Sequence, residues 1–187
     1  MAAHAQRLPV VPNGVLGMIV FVLTELMLFA GLISAFQITK SSAPFGWPPP
    51  DQPRLPIEVS AANTALLVLS AAALVWAGIR FRDDPRLARA PMLVALLLAG
   101  TFVVVQGVEW ASLLGRGLTL TSSQLGAFFY LIVGCHALHA VAAIAALGWA
   151  LVRLHRDQLD KAQLWTVQIF WYFVVGVWPV LYVQVYL

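Results

Sequence analysis

Between Gly14 and Ile38 the chain runs for 25 residues with a single ionisable side chain, Glu25, near the middle. At about 1.5 Å rise per residue, such a run makes a helix long enough to cross a hydrocarbon core of roughly 30 Å. Glu25 then lies near mid-membrane. A lipid-facing carboxylate at that depth costs about 2.5–3.5 kcal/mol on insertion scales, so the side chain is expected to turn into protein, to stay protonated, or both. An intramembrane carboxyl is a functional candidate by default. The plain alternative is a hydrogen bond that only ties two helices together.

The rest of the chain repeats this pattern. It is 61% hydrophobic and only 10% charged over 187 residues, against about 25% charged in an ordinary globular protein. Its apolar runs have helical length and lack the short alternating segments of a membrane barrel, so the expected fold is all-α, an integral membrane bundle of five transmembrane helices. One membrane domain is expected over 1–187, with spans at about 14–39, 57–79, 91–114, 123–152 and 162–187. The head before Asn13 lacks an apolar stretch ending in small residues, and the first run is too long for a signal peptide, so it is read as a retained span. The single Cys135 excludes an intramolecular disulfide. There is no Cys-x-x-Cys-His, no glycine-rich phosphate loop, and no Ser or Cys with a partner to make it a nucleophile. No catalytic residue is expected, and the basic loops point to lipid rather than nucleic acid.

Pro9 and Pro12 hold the head out of helix up to Asn13, which can cap the first span. The segment from Lys40 to Pro56, KSSAPFGWPPPDQPRLP, belongs outside the membrane. Arg80, Arg82, Asp83, Asp84, Arg86 and Arg89 form a charged loop, and Pro91 suits the first turn of the third span. Thr121, Ser122 or Ser123 can cap the fourth. Five spans leave Arg7, Arg80, Arg82, Arg86, Arg89, Arg153, Arg156 and Lys161 on one side and Lys40, Arg54 and Arg116 on the other, which accounts for all 11 basic residues. That bias puts the N-terminus in the cytoplasm and the C-terminus opposite. Arg80, Arg82, Arg86 and Arg89 are candidates for anionic lipid headgroups, with plain solvated charge as the alternative. No internal repeat marks an inverted-repeat transporter.

Several polar groups fall inside the spans. Asn63 and Thr64 open the second, as packing residues. Gln106 and Glu109 share a face of the third, and His136 and His139 share a face of the fourth. Glu25 and the two histidines each lie near the middle of their helices, so a Glu–imidazole hydrogen bond between helices is geometrically open. Glu109 lies about 10 Å further out, level with Tyr130. No Glu-x-x-His occurs to build a carboxylate-bridged metal centre, and no metal site is expected. A proton relay through Glu25 and the histidines competes with a static packing network. Small residues such as Gly134, Ala137 and Ala140 let the fourth helix pack tightly. The aromatics of the fifth span are read as an interface belt, with Trp178, Tyr182 and Tyr186 at its outer end, and Pro179 is expected to bend that helix.

The order of these features resembles subunit III of the haem-copper terminal oxidases, in a short five-helix form without the two leading helices of longer members. The markers are Glu25 in VLTELMLFAGLISAF, Trp47-Pro48-Pro49, Asn63-Thr64, Gln106 and Glu109 in VVQGVEW, and His136 and His139 in GCHALHAV. One departure is that Tyr172 and Gly176 stand where the family's last helix usually carries His and Asp. The resemblance implies a non-catalytic subunit of a respiratory oxidase in a bacterial inner membrane. Such a subunit binds no haem or copper itself, packs against the catalytic subunit I that holds them, retains structural phospholipid in a cleft between helices, and sustains proton uptake. Carried across, Glu25 is the buried carboxyl near lipid and subunit I, and Glu109, His136 and His139 are polar positions inside the bundle. A subunit III-like accessory protein of a nitric oxide reductase is the runner-up. An independent small transporter or proton conductor using Glu25 is the third reading.

Overall fold

The computed structural model describes residues 11–43, 47–48 and 53–186. Arg7, Pro49, Pro50 and Leu187 lie outside the described residues. Five long helices follow one another: α1 (Asn13–Ser41), α2 (Ile57–Asp83), α3 (Arg89–Gly115), α4 (Gln124–His155) and α5 (Lys161–Leu181). A 3-10 turn, Pro85–Ala88, leads into α3, and a π-helical turn, Tyr182–Tyr186, follows α5. All five are long and apolar enough to cross a bilayer, and no strand occurs among the described residues. The fold is all-α and the chain is a multi-pass membrane protein.

Local chemistry sets the helix ends. α1 begins directly after Pro12, whose fixed φ of −59° gives an extended entry; Asn13 is the first helical residue, not the cap. Ser123 caps α4 by accepting from the Gly126 N–H at 3.0 Å. Asp160 and Gln163 form a reciprocal capping box on α5. α3 stops at Gly117, whose φ of +89° reverses the chain. There the Leu118 N–H bonds the Leu113 carbonyl at 3.0 Å and the Gly117 N–H bonds that of Leu114 at 3.1 Å, with Leu113 and Leu118 buried together. α4 ends in the same motif, except that Asp157 takes the left-handed position at φ +54°. A non-glycine residue there costs about 1–2 kcal/mol.

α5 is the axis of the bundle. Along it, Phe170 meets Phe21 of α1, the Gln168 amide donates to the Leu74 carbonyl of α2 at 3.2 Å, Trp178 meets Phe102 of α3, and Trp178 also faces His136 of α4. The register is parallel to α1 and α3 and antiparallel to α2 and α4. Gly78 allows the α2 approach, because a Cβ there would stand 2.5 Å from Gln168 Nε2. This corrects the reading of the α5 aromatics as a belt: Trp171 and Trp178 are fully buried and Tyr186 is 6% exposed. The physical reason is position. A helix surrounded by four others has little lipid-facing surface, and large rings fill the gaps between the helices. Trp165 is exposed and Tyr182 half-buried. α5 continues two residues past Pro179 before it loosens into the π turn.

Candidate functional site

α1 and α4 bring Glu25 and His139 together, with Glu25 Oε2 3.0 Å from His139 Nε2 and both side chains less than a fifth exposed. The other ring nitrogen, Nδ1, lies 2.8 Å from the Cys135 carbonyl one turn back on α4. A carbonyl only accepts, so Nδ1 carries a hydrogen. Two states then satisfy the Glu25–His139 contact: a carboxylic acid donating to a neutral imidazole, or an imidazolium donating to a carboxylate. Each holds one mobile proton and each is net neutral, which meets the constraint that mid-membrane burial sets on an isolated charge. The rings of Phe21, Phe29, Phe170 and Phe173 surround His139 at centroid distances of 5.6–6.4 Å. Chemically, the arrangement can hold a proton and pass it between two atoms.

His136, one turn away, does not join this pair. It is 2% exposed, lies against Trp178 at 5.1 Å, and neither of its ring nitrogens has a partner. The second sequence pair also separates. Gln106 is buried in a network in which the Asn63 amide donates to the Phe102 carbonyl at 3.1 Å and to Gln106 Oε1 at 3.4 Å, while Gln106 Nε2 donates to the Tyr186 hydroxyl at 3.1 Å. Glu109 is half-buried and makes no side-chain hydrogen bond or ion pair among the described residues. Thr64 accepts from Trp178 Nε1 at 2.8 Å.

Of the four arginines marked for lipid, Arg89 binds Asp157 at 2.8 Å and the carbonyls of Leu154 and His155, and Arg86 reaches Asp157 at 3.9 Å. Arg89 thereby clamps the start of α3 to the end of α4, at the strained Asp157. Arg80 lies over the ring of Trp76 at 5.8 Å, and Arg82 is exposed. No group of three or more His, Cys, Asp or Glu that could hold a metal occurs among the described residues.

Sequence reasoning placed Tyr186 and Trp178 in a belt and missed Trp110 and the phenylalanine sheath. Phe29 was findable, four residues after Glu25 and so on the same helical face. The burial of Tyr186 and Trp178 carried no signal, because aromatic rings spread around the whole of α5 mark no one face.

The sequence model of the family described as cytochrome c oxidase subunit III matches residues 2–187. A "probable cytochrome c oxidase subunit 3" of Nocardia farcinica is 31% identical over 182 residues, covering 94% of this chain and 88% of the relative. The Mycobacterium tuberculosis protein of the same name is 31% identical over 184 residues, with the same coverage of each chain. The cytochrome c oxidase subunit 3 of Oryctolagus cuniculus is 30% identical over 193 residues, covering 95% of this chain and 71% of the relative.

Proposed function

Because the chain belongs to the cytochrome c oxidase subunit III family, we propose that it is a non-catalytic subunit III of a haem-copper respiratory oxidase, supporting assembly, phospholipid retention and sustained proton uptake. The match across nearly the whole chain carries this reading. Membership places the chain in a complex with other oxidase subunits. The finer assignment is that the partner it packs against is the catalytic subunit I, which holds the haem and copper and reduces oxygen. The membrane is the bacterial inner membrane, with the N-terminus cytoplasmic, in keeping with the distribution of basic residues.

The bundle's own groups then have defined work. Glu25 and His139 hold one proton at the α1–α4 contact, within reach of the lipid-facing surface of α1. The Asn63–Gln106–Tyr186 network fixes α2, α3 and the end of α5 to one another. Arg80 and Arg82 are the arginines left for lipid headgroups once Asp157 has taken Arg86 and Arg89.

The test is mild-detergent purification through a tag on this chain, followed by an absorption spectrum and metal analysis. Co-purifying haem and copper are expected. Haem with non-haem iron and no copper would move the chain to a nitric oxide reductase. A colourless protein that stays alone through several detergents would overturn the subunit reading, and proton flux in liposomes would then test a conducting role for Glu25.

A further inference from the structure

A cavity of about 160 Å³ lies between α3 and α4, closed on its inner side by Trp178 of α5. It is separate from the Glu25–His139 pair and has no charged residue in its wall. The buried indole N–H of Trp110 and both ring nitrogens of His136 belong to wall residues and have no hydrogen-bond partner. Gln106, the remaining polar wall residue, is already engaged by Asn63 and Tyr186. The rest of the wall is apolar and includes Phe102, Val103 and Val133. Gly107 belongs to the wall and is also exposed, so the cavity opens there toward the bilayer.

These features define an occupant. The absence of a charged wall residue makes it neutral. An indole N–H only donates, and a neutral imidazole offers one N–H and one bare nitrogen, so the occupant needs a group that both accepts and donates, as a hydroxyl does. Its body is apolar and ring-sized, since a cavity of about 150 Å³ accommodates a benzene ring. A water cluster fits poorly. At roughly 30 Å³ each, about five waters would enter, each seeking about three hydrogen bonds from a wall with few free polar atoms. We propose that this cavity binds the hydroxyl-bearing ring of a neutral, membrane-soluble amphiphile, which accepts from Trp110 and pairs with His136.

The test uses the intact assembly, purified through a tag on this chain and placed in lipid nanodiscs, with radio-iodinated 4-iodophenol as the probe. Binding is expected to show a saturable component of one probe per chain above the linear uptake of empty nanodiscs, with iodine density between α3 and α4 in cryo-electron microscopy. 4-Iodotoluene has the same shape without the hydroxyl. At equal concentration in the bilayer it is expected to bind about five- to tenfold more weakly, the loss of one or two net hydrogen bonds. Gly107→Leu is expected to abolish the saturable component while the assembly still co-purifies, because no atom lies within 4 Å of where a Cβ would stand on Gly107. His136→Phe is expected to erase the preference for the phenol. Linear uptake alone, equal affinity for the two probes, or saturable binding that survives Gly107→Leu would each overturn the proposal. If Gly107→Leu does not assemble, Ala137→Leu plugs the cavity from the α4 wall and is read in the same way.

Discussion

α1 and α5 run parallel in the bundle and invert the rule that holds in water. By mean hydropathy α1 is the most apolar of the five spans and also the least buried, with 6% of its apolar 18-residue stretch inside the protein; α5, whose Trp and Tyr rings score low on that scale, has 56% inside. In a soluble protein the most apolar helix goes to the core. In a bilayer, lipid receives an apolar face as readily as a neighbouring helix does, so burial follows packing and polar partnership instead. α1 buries only Val15, Phe29 and Phe36, and it reaches inward through Glu25. α5 buries eleven residues, none of them charged.

The hardest test of that contrast is a matched pair of truncations. Trp178→Ala is expected to cost about 3–5 kcal/mol by opening a cavity at the axis, whereas Met27→Ala on α1, 76% exposed, is expected to leave the chain's stability within about 0.5 kcal/mol. Equilibrium unfolding in mixed micelles measures both, and comparable losses would break the comparison. Met27→Ala can still weaken co-purification of other subunits, which would identify the outer face of α1 as a protein interface.

The next effect concerns the mid-helix polar contact of α1, between Glu25 and His139. Glu25→Leu strands His139 Nε2 and is expected to cost about 1–3 kcal/mol. Glu25→Gln keeps a donor for that nitrogen and should preserve assembly, with at most a modest loss of sustained turnover. Equal stability of the two variants would show that the carboxyl has no structural partner, and complete loss of turnover in an assembled Glu25→Gln complex would defeat a merely supporting role. Asn63→Leu, on the α2–α3 side, should cost about 0.6–1.7 kcal/mol, the range of interhelical hydrogen bonds in membranes. The smallest change is expected from Asp157→Gly. It relieves the left-handed backbone but frees Arg89 and Arg86, so the net shift in the thermal midpoint should stay below the equivalent of about 1 kcal/mol.

The helical architecture and the Glu25–imidazole contact were legible in the sequence because they follow from length and depth: a run of 25 residues has one middle, and mid-helix groups on packed neighbours meet. Which histidine would answer Glu25 was not legible. His136 and His139 share a helical face, and the choice depends on the rotation of α4 against both α1 and α5, where Trp178 takes His136 and leaves His139 to Glu25. The α5 aromatics were misassigned for a related reason. Hydropathy does not distinguish a ring that faces lipid from one that faces another helix, and only the packing of four helices around α5 decides it. Gln106 and Glu109, paired by spacing, separate because Tyr186 at the end of α5 offers Gln106 a partner and leaves Glu109 aside.

The one-proton contact between Glu25 and His139 has an electrical corollary. In a hydrogen bond of this length the proton moves about 1 Å between its two wells. Even if that shift pointed straight along the membrane normal, it would traverse roughly one-thirtieth of the hydrocarbon thickness. With about 2.3 kcal/mol available per elementary charge for each 100 mV across the whole bilayer, the voltage does at most about 0.1 kcal/mol of work on the shift, well below thermal energy. The pair is therefore deaf to membrane potential, and its balance responds only to what touches α1 and α4.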